Sequence, residues 1–342
     1  MIRAELPDQL LTVLRDATGV RDLAYRHAPE ELHGGFWAEL VWFSLAGAPP
    51  GWGGELVARL MPEPAVAQKE TIVQSAAAAA GVRTPTVRAS GGPDAGLGRA
   101  FMVMDRAPGA PLLDGLGGVR MLSAAPRLAK QIPAVLASSM AELHAVDPTP
   151  VRDRLDSLTG VARTVAELVD ALRIGAKLRG RNDLASVADW LIAHPPPARD
   201  DVICHGDLHP FNLLVDASGQ VTVLDWSTSL IGPAAYDVAF TSLMVGEPPA
   251  QGPRVVQRAV GAAGRWLATR FVRGYEQRTG IEIEPNELEW YQAVVCLRAL
   301  VEVAGWVDEG IVDTRRGHPW LIGASTYAQR LTTLTDVPVL PR

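Results

Sequence analysis

The stretch "VICHGDLHPFNLLVD" (residues 202–216) sets His205, Asp207 and His209 at alternate positions and Asn212 five residues after Asp207. On a strand the first three would share one face, as the ligands of a metal-dependent hydrolase do. On a loop the same residues suit phosphoryl transfer: Asp207 orients a hydroxyl and accepts its proton, while Asn212 turns its amide oxygen onto a hard metal ion. Asp225, in "VTVLDWS", ends a strand pattern and adds a metal-binding carboxylate. Zinc chemistry would need further ligands, and His27, His33, His144, His194 and His318 fall in no ligand-like pairing. The loop reading is therefore preferred, with Asp207 catalytic and Asn212 and Asp225 as ligands of Mg²⁺.

Such groups need a scaffold. From residue 25 to 60, "LAYRHA", "WAELVWFSL" and "ELVARLMP" are separated by Gly and Pro and read as three strands. "EPAVAQKETIVQSAAAAAG" has apolar residues at helical spacing and a Gly stop, and "VRTPTVRAS" and "RAFMVMDRAPG" read as two more strands. After "APGAPLL" the pattern turns helical, in "RLAKQIPAVLASSMAELHAV", "TGVARTVAELVDALRIGAKL" and "LASVADWLIAH". One β island, "VICHGD", "NLLVD" and "GQVTVLDW", is expected inside this helical part. The reading is α+β and bilobal: a small, mainly antiparallel sheet lobe over 1–108, a hinge at about 104–109, and a large helical lobe over 110–342. No internal repeat or low-complexity linker is present.

Bulk properties narrow the partners. The 342 residues, 48% of them apolar, can bury a large core. A net charge of -6 argues against a nucleic-acid binder. Cys204 and Cys296 are too few for a disulfide framework and suit a reducing compartment, so cytoplasm is expected. The amino terminus reads as an amphipathic helix rather than a signal peptide, and no run approaches the roughly 18 apolar residues of a membrane span, so no membrane association is expected. Lysine occurs only at 69, 130 and 177, which makes arginine the default cation.

"HGDLHPFNLLV", "VLDWS" and "IGPAAYDVA" together resemble the aminoglycoside phosphotransferase and choline kinase superfamily, relatives of protein kinases. The resemblance implies transfer of the γ-phosphate of ATP or GTP to a hydroxyl of an aminoglycoside-like or other antibiotic or natural-product acceptor, with Mg²⁺, and a role in antibiotic resistance. A metabolic kinase acting on choline, a sugar or an amino alcohol is the alternative, and a non-enzymatic nucleotide-binding module is the second. It also implies that His205 and His209 support the catalytic loop and that Asp237 braces it. His144, on the helix expected behind that loop, is read as buried and satisfied.

On the nucleotide side, the resemblance assigns Gly34 and Gly35 in "HGGFWAEL" to a turn over the phosphates. Arg59 stands where kinases carry lysine, with Glu70 as its partner and Lys69 as the alternative cation should the strand register differ by a turn. Met104 would gate the base pocket, and the Asp105 carbonyl and Ala107 amide would contact the base. Acceptor candidates are Glu289, Trp290, Glu302, Trp306, Asp308 and Glu309, carboxylates and aromatics suited to a cationic or sugar-like compound. The segment 151–200, which has no match in the family pattern, is expected to shape the acceptor pocket. The protein is expected to be a monomer or homodimer.

Overall fold

The computed structural model describes residues 3–32, 37–113, 119–247 and 254–341. In chain order the elements begin α1 (Leu6–Thr18), β1 (Ala24–Glu31), β2 (Glu39–Ala46), β3 (Glu55–Met61), α2 (Pro64–Ala79), β4 (Val87–Gly91), β5 (Ala100–Asp105) and β6 (Ala110–Pro111). Helices α3 (Val119–His144), α4 (Thr149–Leu155), α5 (Val165–Leu178) and α6 (Asn182–Ala193) follow. Next come β7 (Asp201–Cys204), β8 (Leu213–Val215), β9 (Val221–Val223) and β10 (Leu230–Pro233), then α7 (Ala234–Gly246), α8 (Arg254–Thr279), α9 (Pro285–Asp308) and α10 (Pro319–Thr335). The fold is α+β. Residues 1–112, 149–161 and 211–229 form one compact unit, and 113–148, 162–210 and 230–342 form the other.

In the first unit a five-stranded antiparallel sheet has the order β1-β2-β3-β5-β4. Side chains alternate between its faces because the strand period is two. Val41, Phe43 and Leu45 of β2, Leu56, Ala58 and Leu60 of β3, and Phe101 and Val103 of β5 pack with Leu6, Leu10 and Leu14 of α1. Met61 and Met102, on the other face, pack with Ala67 of α2. Arg59, two residues from Met61, therefore points to the α2 side. On α2 the buried Ala67, Glu70, Gln74 and Ala77 recur at helical spacing and make the face that meets the sheet.

The single expected β island is two separate sheets. β8 pairs with β9 and with β6, and the Val223 amide donates to the Arg83 carbonyl at 2.9 Å. These bonds join residues 211–229 to the first unit, although the sequence reading had put them in the helical lobe. β7 pairs instead with β10, with Cys204 opposite Leu230. "LIGP" was missed as a strand because a four-residue apolar run carries no alternation that could distinguish it.

The second unit is helical apart from β7 and β10. α7 is buried along nearly its whole length, and its sequence is accordingly apolar all round apart from Asp237, Thr241 and Ser242. α9 is likewise buried through most of its length, and α5, α6, α7 and α10 pack against it. Among the described residues no helix is long and apolar enough to cross a membrane.

Candidate active site

In the first unit three side chains from distant parts of the chain meet. The Arg59 guanidinium reaches Glu70 Oε2 with Nε at 3.5 Å and Asp225 Oδ1 with Nη2 at 2.9 Å. Arg59 and Glu70 are both buried, which sets the pair apart from a surface ion pair. Burial raises the Glu70 carboxyl to about 7 against the opposing pull of Arg59, and the nearby Asp225 charge adds to the rise. The Trp226 amide donates to Glu70, so α2 is tied to the strand end that carries Asp225. Burial disfavours the Arg59 charge, but Glu70 and Asp225 outweigh it and lift the guanidinium above its ordinary value.

Asp225 itself has a φ of 62°, one of two non-glycine residues in the left-handed region among the described residues. A β-carbon makes this conformation costly, so its surroundings must hold it. They do so through Arg59, through Ser227, whose hydroxyl donates to Asp225 Oδ1 at 2.7 Å, and through the fully buried Trp226, whose ring nitrogen donates to Thr84 Oγ1 at 2.9 Å. The Leu224 amide donates to the Asn212 carbonyl at 2.9 Å, which brings the Asn212 and Asp225 segments side by side. Carboxylate and amide oxygens on adjoining segments form a donor set that fits Mg²⁺.

In the second unit β7 ends at Cys204, so His205, Asp207 and His209 lie on a loop and do not share a strand face. The loop backbone is pinned by five hydrogen bonds. Asp237 accepts the His205 amide at 2.7 Å and the Gly206 amide at 2.6 Å. The Asp207 amide donates to His205 Nδ1 at 3.3 Å, and Thr241 Oγ1 donates to the Leu208 carbonyl at 2.7 Å. The fifth contact was not anticipated: Arg298 Nη1 donates to the Gly206 carbonyl at 3.0 Å. His209 Nε2 stands 3.7 Å from Asp207 Oδ1.

Asp237 is fully buried. Burial would raise its carboxyl, but the hydrogen bond from His144 Nε2 at 3.1 Å, the charges of His144 and His205 and the Gly206 amide hold it below the ordinary range. The other ring nitrogen of His144 meets the Tyr275 hydroxyl at 2.8 Å, so His144 is a satisfied core residue.

Other anticipated residues are more scattered. Met104 lies on β5 with the Gln74 amide 3.5 Å from its sulfur. The Asp105 carboxylate is gripped by both arms of Arg88 at 2.7 Å, while its amide donates to the Thr86 carbonyl. Ala107 is half-buried just after β5, and Lys69 is buried on α2 beside Glu70. Gly34 and Gly35 lie outside the described residues.

Of the acceptor candidates, Glu302 is one helical turn from Arg298, and Trp306 is one turn further, with its ring 4.7 Å from His318. Glu289 is nine residues before Arg298, roughly 13 Å along the helix axis. Trp290 packs edge-on against Tyr291, Asp308 pairs with Arg179 at 3.8 Å, and Glu309 is exposed at the end of α9. The helix thus brings Glu302 close enough to Arg298 to act on its charge, while Trp306 and Glu289 each lie about two turns away from it.

A profile of the phosphotransferase enzyme family matches residues 31–277, more than two thirds of the chain. The chain belongs to that family. Clavilactone A biosynthesis cluster protein Y of Ampulloclitocybe clavipes is 28% identical over 165 residues, which are 46% of this chain and 40% of that protein. The chain therefore matches less than half the length of this curated relative. A candidate aminoglycoside phosphotransferase from Ralstonia eutropha superposes with a TM-score of 0.65 at 23% identity, over 97% of this chain and 96% of the other. A thermostable mutant of the aminoglycoside phosphotransferase APH(4)-Ia, in ternary complex with ADP and hygromycin B, superposes with a TM-score of 0.59 at 18% identity, over 96% and 98%.

Within this phosphotransferase, the arginine at 59 has a geometric reason. A planar fork can engage Glu70 and Asp225 together, whereas a lysine offers one point charge. Arg59→Lys is expected to weaken ADP binding about tenfold, roughly 1.4 kcal/mol. Calorimetric titration with ADP and Mg²⁺ checks this, and affinity equal to that of the wild type would show that the fork is dispensable.

Proposed function

We propose that the protein transfers the γ-phosphate of ATP or GTP to a hydroxyl of an antibiotic or other natural product, with Asp207 as the catalytic base. The observation that carries this reading is the arrangement around Asp207: a carboxylate on a loop whose amides and carbonyls are held by Asp237, Thr241, His205 and Arg298. Fixed placement of the base supplies much of the rate in phosphoryl transfer, because little covalent chemistry is left for the protein to do. Asp207 accepts the proton of the acceptor hydroxyl. The oxygen bonds to the γ-phosphorus as the bridging bond to the nucleoside diphosphate breaks.

Asn212 and Asp225 would hold Mg²⁺, which when bound neutralises phosphate charge. Arg59 and Glu70 orient Asp225, while the backbone around Asp105 and Ala107 would receive the base. The ADP complex of APH(4)-Ia supports nucleotide as donor. The cytoplasm, a role in resistance and a monomeric or dimeric state belong to the same proposal.

For the acceptor, the charges favour a compound less cationic than an aminoglycoside. Of the four anticipated acids only Glu302 stands near the catalytic loop's support, and Arg298 and His209 stand beside Asp207. A panel of aminoglycosides, neutral glycosides, macrolides, choline and sugars, assayed with labelled ATP and GTP, tests the proposal. A labelled product is expected from a neutral natural product, and its formation is expected to stop with EDTA and resume with Mg²⁺. Exclusive turnover of choline or a simple sugar would favour the metabolic kinase.

A further inference from the structure

We propose that Arg298, on α9, is a positioning residue for phosphoryl transfer, acting through the Gly206–Asp207 peptide. The inference rests on the reading of Asp207 as the catalytic base. That peptide is held from both ends: its carbonyl accepts from Arg298 Nη1 at 3.0 Å, and its amide, belonging to Asp207, donates to the His205 ring at 3.3 Å. Asp237 secures the two preceding amides but reaches no carbonyl of the loop. Gly206, at a φ of 75°, is the residue most able to rotate there, because it lacks a β-carbon. Without Arg298 the Gly206 carbonyl would lose the shorter of these two contacts.

The guanidinium is itself held in place. Its carbon lies 5.0 Å from the centre of the Trp320 ring, and it stands beside the Tyr236 hydroxyl, one residue from Asp237. Burial works against its charge, yet Tyr236, Asp207 and Glu302 raise it above its ordinary value, so the side chain stays cationic next to the base. Arg298 thereby links the Gly206 carbonyl to α7 through Tyr236 and to α10 through Trp320. An error of 1 Å in placing a reacting group can cost about a hundredfold in rate.

The test uses the full chain and Mg²⁺-ATP hydrolysis, with water as the acceptor. Arg298→Ala is expected to lower kcat about fiftyfold, with KM for ATP and calorimetric affinity for ADP within twofold of wild type, and methylguanidine is expected to restore part of the rate. A purely structural role would instead lower ADP affinity and the unfolding midpoint together with kcat, and would show no rescue. Arg298→Lys, which keeps the charge and one donor, covers the case in which the alanine variant does not fold, and is expected to lower kcat about fivefold. Wild-type kcat in either folded variant overturns the proposal. Asp207→Ala runs alongside: if it hydrolyses ATP at the wild-type rate, the reading of Asp207 is wrong, whereas loss there with no loss at Arg298 refutes the positioning role alone.

Discussion

Asp207→Asn is expected to reduce turnover of the acceptor about a thousandfold while leaving ADP affinity within a factor of two. The asparagine preserves volume and can still accept a hydrogen bond, but it cannot take the proton of the attacking hydroxyl. General-base catalysis contributes roughly 10² to 10⁴ in rate, and the substitution removes most of that. The split between rate and binding follows from where the groups lie in the fold. Asp207 is on the loop after β7, in the second unit, whereas Arg59, Glu70, Asn212 and Asp225 all belong to the first. Steady-state kinetics combined with ADP titration measures both quantities. A variant that retained a tenth of the wild-type rate would rule out Asp207 as the base.

The residues behind that prediction differed in how far the sequence disclosed them. The pairing of Arg59 with Glu70 was anticipated through resemblance, and the fold supplies its geometry: β3 turns every second residue to α2, and α2 returns to the sheet every three to four residues. The proposed catalytic loop was read from residue types at fixed spacing. The support beneath it was only partly so. Asp237 was anticipated through resemblance, but its bond to His144 spans 93 residues and no local pattern reports it.

Arg298 could not be found at all. In a chain that uses arginine for nearly every cation, one more within "CLRALVE" reads as a helix surface residue, and only the rotation of α9 turns it to Gly206. The same rotation decides among the acids, since Glu289 and Glu302 are indistinguishable in composition and lie far apart along the helix. The two separate sheets were missed for a different reason. Strand pairing is non-local, and runs of three or four residues carry too little alternation to specify partners.

Asp237→Ala is expected to cost roughly 4 kcal/mol of stability, more than any loss of packing volume would explain, because it removes the shared acceptor of three buried donors. The carboxylate accepts two buried backbone amides and a buried histidine. Each unmade bond to a buried group costs about 1 to 3 kcal/mol, and removing the charged partner of a buried pair costs about 3 to 5. Asp237→Asn should recover little. One of its two side-chain oxygens becomes an NH₂, and in either orientation that group meets a backbone N–H donor, His205 or Gly206, where an acceptor is needed. The pH dependence has a definite sign. The folded carboxyl titrates below its unfolded value, so its contribution is fully present above the ordinary aspartate range and is lost as pH falls through the lowered folded value. Urea unfolding at neutral pH and in acid measures this. The wild type should lose stability on acidification more steeply than Asp237→Asn, since the variant has no carboxyl there to protonate, and equal slopes would mean that Asp237 does not carry the charge that holds the catalytic loop.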